Sequence, residues 1–119
     1  MEFQMFGRPE AKDVVIVSRH PATVEYIREE LEKLFRDVNS IPVLASATVE
    51  DCQDKKVWGN VPLNLASVAK TVHAVEFSGA PPRGQEYTLA DMKAGGVVIT
   101  EYKVMTNEAF ADYMEGLVE

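Results

Sequence analysis

Val14-Val15-Ile16-Val17 is apolar without alternation and runs directly into Ser18-Arg19-His20-Pro21. A short apolar run of that kind suits a central parallel strand, covered on both faces. Pro21 suits the first position of a helix, where its missing N–H costs nothing. Val24, Ile27, Leu31, Leu34 and Phe35 then recur at intervals of three and four. Glu25, Arg28, Glu29, Glu32, Lys33 and Arg36 mostly fill the other face of that helix. A buried strand that turns into an amphipathic helix restricts the chain to an α/β arrangement with a parallel sheet.

The remaining pattern repeats the theme. Ile41 to Ala47 reads as a second strand, near an edge or irregular at its start because of Pro42. Thr48 to Lys55 reads as a turn with a short helical piece, and Lys56-Val57-Trp58 as a third strand. Gly59-Asn60 makes a turn into a second helix over Val61 to Thr71, apolar on most sides through Leu63, Leu65, Ala66, Val68 and Ala69. Val72 to Phe77 is a fourth strand. The stretch Ser78 to Glu86, SGAPPRGQE, is an irregular loop. Thr88 caps a short helix, with Asp91 in a capping-box relation. Val97 to Met105 alternates in its second half, as an edge strand solvated on one side does. Asn107 opens a last helix with Phe110, Tyr113, Met114 and Leu117 on one face. The expectation is one Rossmann-like domain over residues 1–119: a three-layer sandwich with a mostly parallel central sheet, a peripheral segment at 1–12 and a C-terminal helix at 107–117.

Composition narrows the function classes. A net charge of −7 does not suit non-specific binding to a long duplex, where many phosphates must be neutralised. It leaves room for a small anion, because a local cluster of arginine and backbone N–H groups holds a few phosphates against an acidic background. No apolar run approaches the roughly 20 residues of a membrane span. The N-terminus has no basic region followed by an apolar one, so no signal peptide is read. Cys52 is the single cysteine and has no internal disulfide partner, which fits a reducing cytoplasm.

In a parallel sheet the three irregular polar stretches lie at the carboxyl ends of strands one, three and four, so they converge on one crevice. Arg19 and Arg83 offer forked donors that match phosphate oxygens. The helices starting at Pro21 and near Val61 can aim free N–H groups into the crevice. Asn60 and Asn64 lie four apart, on one face of the second helix's first turn. His20 exchanges a proton near neutrality. Gly59, Gly79 and Gly84 allow close backbone approach. Most of these residues also have a purely structural reading, which Asn64, at the first turn of an apolar helix, has less readily. Arg19 pairs with an acid such as Glu86, His20 caps its helix or packs its ring, Asn60 is an N-cap, and Arg83-Gly84 is a solvated turn. His73, inside an apolar strand, reads as structural.

Two histidines and one cysteine at distant positions give no zinc-like spacing. Neither a Walker site, nor a dinucleotide fingerprint, nor a nucleophile elbow is present. The loops hold no acidic cluster for a two-metal centre. An enzyme acting on phosphates from this crevice is expected to need neither metal nor cofactor.

The segments VIVSRHP, WGNVPLNLA, RGQEYTLADM and EYKV, in this order, resemble a small family of CRISPR-associated accessory proteins of type III systems. The resemblance spans roughly Val14 to Val104. Ala22 stands where that family often has glycine, and Tyr26 where it often has tryptophan. It implies a Rossmann-like core and ring nuclease activity: metal-independent cleavage of cyclic oligoadenylate, above all cyclic tetra-adenylate. In such cleavage the substrate's own ribose 2′-OH attacks the adjacent phosphate. By the same resemblance Arg19 and Arg83 would stabilise charge and His20 would be the acid or base. Ser18, Asn60, Asn64, Gly84 and Glu86 would complete the substrate-binding set. A homodimer would match the rotational symmetry of a cyclic tetranucleotide. Non-cleaving capture of the cyclic nucleotide, and a protein-interaction subunit, are the other two readings.

Overall fold

The computed structural model of the chain describes residues 7–77 and 88–118. Among these residues five strands form one sheet: β1 (Val14–Val17), β2 (Val43–Leu44), β3 (Lys56–Trp58), β4 (Thr71–Glu76) and β5 (Val98–Tyr102). Their spatial order is β2-β1-β3-β4-β5. The first four are mutually parallel, with Ile16 opposite Val43 and Trp58, and Trp58 opposite His73. β5 closes one edge antiparallel to β4, with Val75 opposite Ile99. The expected α/β class with a mostly parallel sheet is therefore observed.

The helices are α1 (Pro21–Glu32), α2 (Val49–Cys52), α3 (Leu63–Ala66), α4 (Leu89–Ala94) and α5 (Asn107–Val118), with a 3-10 turn at Val38–Ser40. Alternation along β1 sends side chains into two clusters. Val14 and Ile16 join Ile27 and Leu31 of α1, Met92 of α4, Trp58 and Val75. Val15 and Val17 join Cys52 of α2, Leu65 and Ala66 of α3, Val57 and Val72. Both faces of β1 are thus covered, which is why its sequence carries no polar alternation. Ile16, Ile27 and Leu31 are fully buried, so truncating any one of them to alanine would cost about 2–5 kcal/mol.

Local chemistry sets the element ends. Thr48 and Thr88 cap α2 and α4, each accepting from the N–H of an aspartate three residues on, while that carboxylate accepts from the threonine N–H. Asp13 and Asp54 take positive φ, 58° and 61°, just before β1 and β3. Aspartate tolerates that region better than most residues. α4 is tied to α1 by Lys93 Nζ to Glu29 Oε1 at 2.8 Å, and Tyr26 Oη donates to the Val97 carbonyl at 3.1 Å.

Several elements are shorter than their sequence patterns suggest. α3 has 4 residues rather than the span 61–71. Pro62 is its N-cap, and Ala69 N–H bonds back to Ala66 at 3.3 Å as the chain tightens. The Lys70 N–H then bonds the Lys55 carbonyl, committing the chain to β4 beside β3. The short helix leaves Leu63 76% exposed, although the sequence pattern is apolar on most sides. β2 keeps only 2 residues because its single neighbour, β1, itself ends at Val17. Leu34 falls beyond the end of α1 and is exposed.

Candidate functional site

The order β2-β1-β3 places β1 at a switch point: the chain leaves it to one side for β2 and returns to the other side for β3. Flanking connections diverge there and leave a crevice outside the carboxyl ends of the strands. A cavity of about 570 Å3 occupies this position. Ser18, Arg19, His20 and Thr23 line it from the β1–α1 turn, and Asn60, Val61, Pro62 and Leu65 from the β3–α3 side. Ala45, Ser46 and Ala47 follow β2, while Val75 and Phe77 mark the end of β4. Its volume lies within the range of roughly 300–1,000 Å3 usual for small-molecule sites.

The β1–α1 turn is built locally. The Ser18 N–H continues the β1–β2 ladder to the Leu44 carbonyl at 2.9 Å, and Ser18 Oγ accepts from the His20 N–H at 3.2 Å. His20 is the N-cap of α1 in extended geometry, φ −106° and ψ 115°, with Pro21 following. Its imidazole makes no capping bond, so helix capping does not account for the ring. Arg19 is exposed at the cavity wall and forms no hydrogen bond or ion pair among the described residues. A guanidinium held there keeps its donors available for an anion.

The opposite wall depends on a close approach of backbones. Gly59 has φ 135°, and a methyl group on it would strike the Val17 carbonyl group. Its N–H donates to the His73 carbonyl at 2.9 Å. Asn60 then extends the sheet with its side chain: Nδ2 donates to the Val75 carbonyl at 3.0 Å, and Oδ1 accepts from the Val75 N–H at 2.8 Å. The amide acts as one more rung of the β3–β4 ladder. Asn60 therefore does not cap α3, and it lies before that helix rather than on its first turn. Asn64 is exposed on α3 and is not among the described residues lining the cavity. Arg83, Gly84 and Glu86 lie outside the described residues.

Beneath this end of the sheet, His73 stacks on Trp58 with ring centroids 4.1 Å apart and planes 6° from parallel. Its Nε2 lies 3.3 Å from Thr71 Oγ1 and 3.9 Å from Glu101 Oε2. Burial pushes the imidazole pKa below its ordinary 6.5, against the opposing pull of Glu101 and with a smaller push from Lys56. His73 is thus a packed ring, as its place in an apolar strand suggests. Cys52 is fully buried, and burial raises its thiol pKa, so it stays protonated and unreactive.

Sequence reasoning overlooked the Ala45-Ser46-Ala47 wall and Thr23. Extending the second strand to Ala47 hid a loop that also lies at a carboxyl end; the rule that located the other loops would have included it. Thr23 stands three residues after His20, which brings it round to the same side of the first turn. Among the described residues, no group of three or more His, Cys, Asp or Glu side chains is placed to hold a metal ion. No helix among them is long and apolar enough to cross a membrane.

No curated protein and no solved structure matches the chain. Residues 15–105 match the family model described as "Putative CRISPR-associated protein (Cas_VVA1548)". That match takes in the whole sheet except Val14 at the start of β1, and all the described walls of the cavity, and on it the chain belongs to the Cas_VVA1548 family of CRISPR-associated proteins.

Proposed function

We propose that the crevice binds cyclic oligoadenylate, with cyclic tetra-adenylate the leading candidate, and cleaves it as a metal-independent ring nuclease. The observation that carries this reading is Arg19 and His20 on one wall of a cavity at the sheet's switch point, in a CRISPR-associated chain. In this reaction the ribose 2′-oxygen attacks the adjacent phosphorus and the P–O5′ bond breaks. A 2′,3′-cyclic phosphate and a free 5′-OH result. One proton leaves the 2′-OH and one arrives on the 5′-oxygen. Arg19, with Arg83, neutralises charge on the non-bridging oxygens. His20 is the acid or base. Ser18, Ser46 and Thr23 offer hydroxyls to ribose or phosphate.

Asn60 takes a positioning part, since its amide is engaged by Val75. A ring of four nucleotides exceeds one such cavity, and a two-fold dimer would present two of them to it. Loss of the cyclic messenger would switch off type III signalling.

The test is incubation of purified protein with cyclic tetra-adenylate in excess EDTA. Linear products ending in a 2′,3′-cyclic phosphate support the reading. No turnover of cyclic tri-, tetra- or hexa-adenylate at stoichiometric enzyme overturns it. A second reading, capture without cleavage, is favoured by the scarcity of proton-transfer groups: His20 is the only His, Asp, Glu, Lys, Cys or Tyr among the described lining residues. Tight binding with intact ligand recovered would select capture. Arg19→Ala would lose binding under either reading, whereas His20→Ala would keep binding and lose only cleavage.

A further inference from the structure

The two faces of the β4–β5 hairpin are treated differently. On one, Val75 and Ile99 pack beneath α1 and α4. On the other, Val72 meets the α2–α3 cluster, but the side chains beyond it have little cover. The antiparallel register puts Tyr102 opposite Val72, Thr100 opposite Ala74 and Val98 opposite Glu76, all on this second face. Val98 is 55% exposed and Tyr102 44%. Tyr102 Oη and Thr100 Oγ1 both donate to the Glu76 carboxylate, which fixes that charge at the crevice end of the face; Ala74, Val98 and the Tyr102 ring are its apolar part.

The same chain carries an amphipathic helix with nothing packed beneath it among the described residues. Phe110, Tyr113, Met114 and Leu117 form an i, i+3, i+4, i+7 stripe on α5, with exposures of 48, 52, 43 and 61%. Glu108, Asp112 and Glu115 lie off the stripe. The link to α5 is anchored: Val104 packs into the α2–α3 cluster, Lys103 Nζ donates to the Ala69 carbonyl at 3.0 Å, and Thr106 Oγ1 accepts from the Ala109 N–H. Beyond this link every residue from 107 to 117 is exposed, so α5 does not pack on its own sheet. A groove lined by Lys103, Met105, Phe110 and Tyr113 continues the apolar stripe to the end of β5.

We infer that α5 of a second copy of this chain covers the bare β4–β5 face, and that the exchange is reciprocal. The dimensions agree. A 12-residue helix is about 18 Å long, and a 5-residue strand about 17 Å. The three aromatic side chains carry on the order of 150–250 Å2 each, and with the smaller Val98, Met114 and Leu117 the six half-exposed side chains leave up to about 600 Å2 of surface per copy. Covering it on both copies removes about 1,200 Å2, the lower bound for a stable interface. One two-fold axis relates both contacts, so the assembly closes as a dimer. Val98 and Glu76 lie at the crevice end of the sheet, so the interface runs alongside the candidate site. The inference stands on the packing alone and does not depend on the nucleotide reading.

The test combines mass and cross-linking. Sedimentation from micromolar to submillimolar concentration is expected to show a dimer. Leu117→Glu and Tyr113→Glu should each weaken it by at least about 30-fold, with sheet and helix retained by circular dichroism. Thr100→Cys and Met114→Cys proteins, purified separately, should give a covalent dimer only when mixed and oxidised. Cys52 stays out of this chemistry because it is fully buried. A monomer throughout overturns the inference, as does a dimer indifferent to both α5 variants. Cross-links forming between identical variants rather than in the mixture overturn it as well. Loss of nuclease activity is not a readout here, so failure of this inference is separable from failure of the catalytic one.

Discussion

Gly59→Ala should be the most damaging single-methyl change at the crevice. The new Cβ would strike the Val17 carbonyl oxygen and lie 3.0 Å from the carbonyl carbon. A φ of 135° is glycine territory, and an alanine held there costs about 1–3 kcal/mol. Relief requires β1 and β3 to part at their carboxyl ends, which strains the Gly59 bond to His73 and the Asn60 rung beyond it. Losing one or two such bonds adds about 1–3 kcal/mol. The total is roughly 2–6 kcal/mol, a large part of the 5–15 kcal/mol typical of a domain. For a chain of this length that is a fall in Tm of roughly 10–20 °C. Urea titration and thermal melting followed by circular dichroism measure it directly. Gly116→Ala is the control, because nothing lies within 4 Å of the added methyl, and its stability should hold or rise slightly. A Gly59→Ala loss below about 1 kcal/mol would refute the claim that β1 and β3 are in contact through that glycine.

Three further outcomes are expected. Asn60→Ala strands the Val75 N–H and carbonyl, and should cost about 2–3 kcal/mol in a urea titration. Stability should begin to fall as pH drops below 6.5. Burial holds the folded His73 pKa below that value, so the unfolded chain takes up the proton first; His73→Gln should flatten this limb of the stability–pH profile. A lower limb should appear as pH falls below 3.8. The Ala11 N–H, donating to Asp37 Oδ1 at 2.7 Å, keeps the folded carboxylate charged to lower pH than the unfolded one. Asp37→Asn should remove its share of that limb.

What the linear chain determined was whatever a few neighbouring residues decide together. The unalternated Val14–Val17 run, Pro21 at the helix start and the Thr88–Asp91 capping box each act within one turn or strand. Their outcome was legible because no distant partner is needed. The convergence of Ser18, Arg19, His20 and Asn60 was also legible, because parallel strands put their carboxyl ends on one side whatever their order. The strand order itself is a tertiary matter, and it made β1 the switch point.

Position alone could not show that Asn60 serves as a rung, because its partner Val75 is 15 residues away and is aligned only by the β3–β4 register. Nor could it show that the second helix is so short. Apolar content measures how much must be buried, while the return to β4 decides where the helix must stop. The bare β4–β5 face is the clearest case. Val98 and Tyr102 read as ordinary strand residues. Only the placement of α3 and the outward course of α5 leave them without cover.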